Sequence, residues 1–377
     1  MPLGEQLVVP GELHERVAPV EENCVDHGVA RLAGVTQRIL WTSLVLTPIA
    51  IAGRFALHLD ETTLFILAAA ALVPLAWLIG EATEHAAEHT GAGVGAFLNA
   101  SFGNAPELII ALFAVANNLP GVVRGSLTGS VVSNILLVLG AAMIAGGDGD
   151  VDSRSLRLQL FAVIGAVLLI ALPSALSWSG GSHERHSLYL VSIPVSVVLL
   201  VAYAVITVRN LRVHRAQDRR TAAADAWPLR KAVTWLAVAT LATALVSEIL
   251  VHSLDHFGKA VGLNEFFIAV VIVAIVGNAA EHGGAVVIAK RGNTRLATEI
   301  AITSSAQVAL FVMPAVCLLS WVVGRGLPLS FRAVEVITMA AAAAFATWVV
   351  WDGRSRRWEG IVLVAAYSVM VVVYALS

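Results

Sequence analysis

The sequence predicts an all-α polytopic membrane protein of about eleven transmembrane helices, arranged as two inverted five-helix repeats plus one N-terminal helix. Composition, a lopsided distribution of basic residues and a pentapeptide that occurs twice predict it. Of the 377 residues, 58% are hydrophobic and 13% charged, against roughly 25% charged in an average soluble domain. A soluble core could not hide so much apolar surface, so lipid must be part of the solvent. The net charge of −2 argues against a general nucleic-acid binder. Cys24 and Cys317 lie in different solvents, which disfavours a disulfide, and no metal-finger spacing is present.

A bilayer-spanning helix needs about 20 apolar residues. Eleven segments qualify: 39–59, 62–89, 93–117, 121–146, 157–178, 187–208, 232–256, 263–289, 295–322, 333–351 and 358–376. Residues 1–38 are polar and acidic without an apolar h-region, which predicts a cytoplasmic tail and no cleavable signal peptide. Linkers are short except 209–231, which is basic, with seven Arg and Lys. If that linker is cytoplasmic, alternation of spans puts 18 of the 24 Lys and Arg inside and 6 outside. One span more or fewer would scramble this asymmetry. The expected organisation is therefore a multi-pass protein of the cell's inner (plasma) membrane, with the N-terminus inside and the C-terminus outside. Its parts are a tail (1–38), an extra helix (39–59), a first repeat (62–208), the linker (209–231) and a second repeat (232–376).

The duplicated pentapeptide reads Gly103-Asn104-Ala105-Pro106-Glu107 and Gly277-Asn278-Ala279-Ala280-Glu281. The glutamates are 174 residues apart, and the same offset carries Ser130 onto Ser304 and Ser133 onto Gln307. The motifs fall in the third and eighth spans, an odd number of helices apart, so they cross in opposite directions. Inverted repeats of this kind place a substrate site at the membrane midplane.

Gly-Asn, followed by Pro in the first copy, is a poor continuous helix. A break there turns backbone carbonyls toward a cavity, where irregular backbone is tolerated at membrane depth. A carboxylate at mid-span is costly and functional by default; the alternative is a glutamate that caps or snorkels at a helix end. A hard cation such as Ca²⁺ takes about six to eight oxygen ligands. Glu107, Glu281, the Asn104 and Asn278 amides and the freed carbonyls supply such a set. Ser130, Ser133, Ser304 and Gln307 follow on the next helices as further contacts, although small hydroxyl residues there also serve close packing. Asn134 adds another amide beside them.

Other charged groups are candidates for proton movement and ion access: His282 beside Glu281, then Glu81, Glu84 and Glu88 on one helix face, with Glu248 and Asp255 on the seventh span. Each cluster also reads as an ordinary wet helix end. His85-x-x-Glu88-His89 matches an inverted zinc-protease pattern, which requires a third ligand and an open coordination position.

At these residues the sequence resembles the calcium/cation antiporter superfamily, and within it the cation/proton exchanger branch. The paired Gly-Asn-Ala-x-Glu motifs, His282 after Glu281 and the Ser/Gln-bearing helices carry the resemblance across residues 62–322. It implies five-plus-five inverted spans with one extra helix. It also implies exchange of Ca²⁺, or another divalent cation, for H⁺ by alternating access, with Glu107 and Glu281 binding either ion in turn. Such a protein is a transporter and not an enzyme. Its partners are the two ions and the bilayer, and it needs no cofactor and no nucleic acid. A sodium-driven calcium exchanger shares the fold and is the nearest alternative; a membrane zinc metalloprotease is the distant one. Two features depart from the branch: the linker is basic where many members are acidic, and Gln307 faces Ser133 across the repeat. A cysteine introduced between Arg209 and Arg220 should be labelled by an impermeant reagent only from the cytoplasm, and one added after Ser377 only from outside. Labelling of both from one side would mean an even number of spans.

Overall fold

The structure, a computed structural model, describes residues 37–179, 185–214, 227–324 and 326–376. The expected tail, apart from its last two residues, lies outside the described residues, as do linker positions 215–226 and Ser377. Contacts divide the chain after Thr42; residues 37–42 are helical, and the unit from Ser43 onward holds the membrane helices and the site.

Twelve helices order this unit among the described residues: α1 (Leu46–Phe55), α2 (Glu61–Gly103), α3 (Ala105–Ala116), α4 (Pro120–Gly146), α5 (Ser153–Ser179), α6 (Arg185–His214), α7 (Leu229–Val261), α8 (Glu265–Gly277), α9 (Ala279–Lys290), α10 (Thr294–Ser320), α11 (Ala333–Val349) and α12 (Arg357–Ala375). One short antiparallel ribbon pairs β1 (Gly149–Asp150) with β2 (Arg354–Ser355). Leu190, Val205, Leu241, Ile337 and Val369 are each more than half exposed. On helices this long and apolar, such outward-facing side chains mark a surface that lipid covers. The chain is a multi-pass membrane protein.

Helix ends follow local chemistry. The Asp60 carboxylate caps α2 by accepting from the Thr63 backbone N–H at 2.9 Å, and the Thr63 hydroxyl and N–H hold its pKa below the ordinary carboxylate value. Asn264 caps α8 through the Phe267 N–H at 2.7 Å, and Asn293 caps α10 through the Leu296 N–H at 3.1 Å. Gly262 ends α7 in the left-handed conformation, φ +73°, which a residue with a Cβ would resist.

Both expected breaks are present. Asn104 joins α2 to α3 with φ −99° and ψ 15°, and Asn278 joins α8 to α9 with φ −96° and ψ 7°. The second break bends the path by 57°. The backbone repeats again in the later helices, where one wide turn spans Ser133–Val138 in α4 and another Val308–Val312 in α10.

The count of eleven spans is not reproduced. Eight helices are long and apolar enough to cross a membrane among the described residues, and nine if the bent α8–α9 pair is one span. In the expected 39–59 span, residues 39–43 are helical and the ten-residue α1 follows a turn at 44–45, so no single helix there is long enough to cross. The expected 62–89 and 93–117 spans are divided differently, because α2 runs on to Gly103 and leaves twelve residues for α3. The helix-breaking signal therefore sits inside the expected third span, and the polar run near residues 89–92, taken as a loop, stays helical.

Close backbone approach holds the site-bearing helices together. A Cβ on Gly129 of α4 would collide with the Val270 carbonyl of α8. At the α4–α12 crossing, a Cβ on Gly140 would lie 2.7 Å from the Gly360 carbonyl oxygen. Where association in lipid relies on packing, such small residues set how near two helices come. Long α2 and α7 pack along each other, with Phe65 stacked on Phe257 at 4.2 Å.

Candidate cation site

Each break starts a new helix, and each glutamate stands in the first turn of that helix: Glu107 in α3, Glu281 in α9. First-turn N–H groups and the positive end of the helix dipole favour negative charge there. Glu107 is 7% exposed. Its carboxylate lies against Gly277 of the opposite break, where a Cβ would sit 3.6 Å from Oε1. Glu281 lines a cavity that Gly277 also lines. Oε2 of Glu107 and Oε2 of Glu281 are both buried without a protein donor. A buried acceptor without a partner is costly, so this pair of orphaned oxygens is suited to a cation or to protons.

Two cavities meet at Gly277. One of about 210 Å³ reaches from Glu81, Glu84 and Trp77 of α2 to Gly103, Gly277 and Glu281. The other, about 10 Å³, lies beyond Gly277 among Glu107, Ser126 and Ser130. Glu281 thus lines the larger cavity, and Glu107 lines the smaller one.

Hydrogen bonds between the repeats support the site. The Asn278 amide donates to the Ser130 hydroxyl at 2.8 Å and to the Ala274 carbonyl at 3.0 Å. The Asn104 amide donates to Gln307 Oε1 at 2.9 Å. Asn134 Nδ2 donates to Ser304 Oγ at 2.8 Å, and His282 Nε2 lies 2.8 Å from Asn134 Oδ1. Ser304 also reaches the Glu281 carboxylate. The lining is carboxylate, amide and hydroxyl, the donor set of a hard cation. No group of three or more His, Cys, Asp or Glu among the described residues is placed to hold a metal ion.

A model of the sodium/calcium exchanger protein family matches residues 61–212 and again 231–376. The chain belongs to that family. It is 34% identical over 354 residues to a Ca(2+)/H(+) antiporter of Aphanothece halophytica, covering 88% of this chain and 95% of the relative. It is 35% identical over 340 residues to the Ca(2+)/H(+) antiporter ChaA of Bacillus subtilis, covering 86% and 95%. The solved structure of native YfkE superposes with a TM-score of 0.77 at 31% identity, over 90% of this chain and all of that one.

Within this exchanger-family site the expected residues are not all placed as expected. Glu107, Glu281, Asn104, Asn278, Ser130, Ser304 and Gln307 are brought together around the two breaks. The Ser133 hydroxyl donates to the Ser130 carbonyl of its own helix at 3.3 Å, and Ser133 lines neither cavity. Of the access candidates, Glu81 and Glu84 line the larger cavity, whereas Glu88, Glu248 and Asp255 do not. Glu88 is turned to His85 at 3.8 Å, and Asp255 pairs with Lys259 at 2.5 Å. The distant zinc alternative loses its geometry as well. The His85 ring stacks on Trp227 at 4.7 Å, and His89 Nε2 donates to the Trp227 carbonyl at 2.7 Å.

Sequence reasoning missed Tyr203 of α6, whose hydroxyl approaches Gln307 and Thr207. It also missed Gln159 of α5, which accepts from Thr303 at 2.7 Å. Neither belongs to the duplicated motif, and a lone polar residue in an apolar span was the only signal. Gly277→Ala tests the meeting point of the cavities. At 3.6 Å the methyl fits as an ordinary contact, so the melting temperature should stay within about 3 °C of wild type. The stabilisation conferred by a divalent cation should be lost, because the methyl takes up space between the two carboxylates. An unchanged cation-induced shift would show that the cation binds elsewhere.

Proposed function

We propose that the protein is a secondary antiporter that exchanges Ca²⁺ for H⁺ by alternating access, with Glu107 and Glu281 binding either ion in turn. One observation carries this reading above the rest: a glutamate from each helix break borders a cavity lined by Gly277, and each has a buried oxygen without a protein donor. Family membership and relatives named as Ca(2+)/H(+) antiporters support the choice of ions. Residues 62–208 and 232–376 serve as the two repeats. The protein resides in the cell's inner membrane with its N-terminus cytoplasmic. In that orientation the larger cavity opens from Glu84 toward the cytoplasm, an inward-facing arrangement.

The mechanism follows from charge. Two ionised carboxylates in a dry cavity repel each other and have lost their water. Two protons neutralise them, and one Ca²⁺ does the same with two positive charges. Either loaded form can pass between the inward and outward states, while the empty, doubly charged form cannot, so one ion moves only in exchange for the other. The Asn104 and Asn278 amides, held by Gln307 and Ser130, orient the break so that its oxygens face the ion. Glu81 and Glu84 at the cavity mouth raise the local cation concentration.

Glu107→Gln and Glu281→Gln each keep the size of the side chain but remove its charge and its exchangeable proton. Each should abolish Ca²⁺ flux in sealed vesicles under an imposed pH gradient, while the protein elutes and melts as the wild type does. Near-normal exchange by either variant would remove that glutamate from the mechanism.

Competition is the second test. Because protons and Ca²⁺ claim the same carboxylates, the half-saturating Ca²⁺ concentration should rise as pH falls from about 8 to about 6. Uptake should need no sodium. An affinity that stays flat across that range sinks the shared site, and an absolute sodium requirement would assign the protein to sodium-driven exchange.

A further inference from the structure

The hydrogen bonds around Asn278 have a polarity that can be deduced outward from one atom. The Ala274 carbonyl can only accept, so the side-chain atom 3.0 Å away must be the Asn278 NH₂ group. Asn278 Oδ1 then points the other way, toward Asn134 at 3.4 Å, and Asn134 must present its own NH₂ there. That leaves Asn134 Oδ1 facing His282 Nε2 at 2.8 Å, so Nε2 carries the proton and donates. The same Asn134 NH₂ donates to Ser304 Oγ at 2.8 Å. The Asn134 NH₂ group is thus shared between Asn278 at the break and Ser304 of α10.

The other glutamate lacks this pair. The 174-residue offset that relates the repeats carries His282 onto Leu108 and Asn134 onto Val308. One hydrogen-bonded pair is thus matched by an apolar pair across the internal symmetry. On that side, Gln307 stands where the first repeat has Ser133, and it takes the Asn104 amide for itself.

We propose that His282 is a positioning residue: it holds Asn134 in one amide orientation, and through it fixes Ser304 and Asn278 beside the second break, a support that the first break lacks. The arrangement makes the two glutamates inequivalent. Glu281, at the open cavity, follows the break that this network fixes, whereas Glu107 packs against Gly277 of the opposite break. Asn134 is a spacer in this role and not an ion ligand, because its oxygen is already taken. The inference rests on the proposed Ca²⁺/H⁺ exchange only for its transport readout.

The test uses the full chain reconstituted in sealed vesicles. His282→Leu, which installs the residue type of the other repeat, frees Asn134 to turn over. It should raise the KM for Ca²⁺ about fivefold or more, the factor lost with one buried hydrogen bond, with kcat within about twofold. His282→Gln places an amide N–H near the position of Nε2 and should rescue KM, whereas the shorter His282→Asn should not. Adding His282→Leu to Asn134→Leu should cost nothing further. Equal KM values for the Leu, Gln and Asn variants, or additive costs in the double variant, would overturn the proposal. A ¹⁵N-histidine spectrum of the purified protein gives a readout independent of transport. The resonances lost in His282→Gln should report a proton on Nε2 and none on Nδ1; the opposite tautomer overturns the inference. If the wild type moves no Ca²⁺, the functional reading fails, and this spectrum still decides the orientation of the chain.

Discussion

A helix that ends and restarts inside a membrane leaves the carbonyls of its last turn and the N–H groups of its next first turn without intrahelical partners. In hydrocarbon each such group costs several kcal/mol. The protein incurs this cost twice, at Asn104 and at Asn278, in nearly the same backbone conformation. Everything near the site answers that demand. The asparagine amides reach across to Gln307 and Ser130, and the Asn278 amide also returns to Ala274 of its own helix. The glutamates occupy the first turns of the restarting helices, where unpaired N–H groups favour an anion.

Charge then couples the breaks. Each glutamate has one oxygen that the protein leaves without a donor. A structural carboxylate looks different in the same molecule. Buried Glu335 takes its partners from the Arg332 backbone N–H at 2.6 Å and the Arg332 guanidinium at 3.1 Å. No arginine or lysine among the described residues pairs with Glu107 or Glu281 in this way. A countercharge for the site would have to come from solution, which is the physical basis for proposing these residues as carriers of ions and Glu335 as part of the scaffold.

The scaffold brings the breaks together through missing side chains. Gly129 admits the Val270 carbonyl, Gly277 admits the Glu107 carboxylate, and Gly140 meets Gly360. At Gly129 and Gly140 the approach is nearer than a Cβ would allow, so the distance between repeats there is set by backbone and not by side-chain volume. The symmetry this creates is incomplete, and the differences fall on polar groups that touch the site.

Read alone, the sequence determined the membrane environment, the two breaks, the duplicated glutamates and most of the amide and hydroxyl residues around them. Those features are local: apolar runs, Gly-Asn punctuation and a carboxylate placed at a fixed distance from it are all visible along one stretch of chain. It was less informative about where helices divide, since α2 stays helical through a polar run to Gly103, and so the count of eleven spans did not follow. Only the tertiary structure decided that Ser133 turns back on its own helix, that Glu81 and Glu84 reach the cavity while Glu88 and Asp255 find other partners, and that Tyr203 attends Gln307. It alone joined His282 to Asn134, 148 residues apart. Neither motif predicts that pair, because a hydrogen bond between repeats depends on how two helices face each other, and the repeat comparison shows only Leu108 and Val308 in the corresponding places.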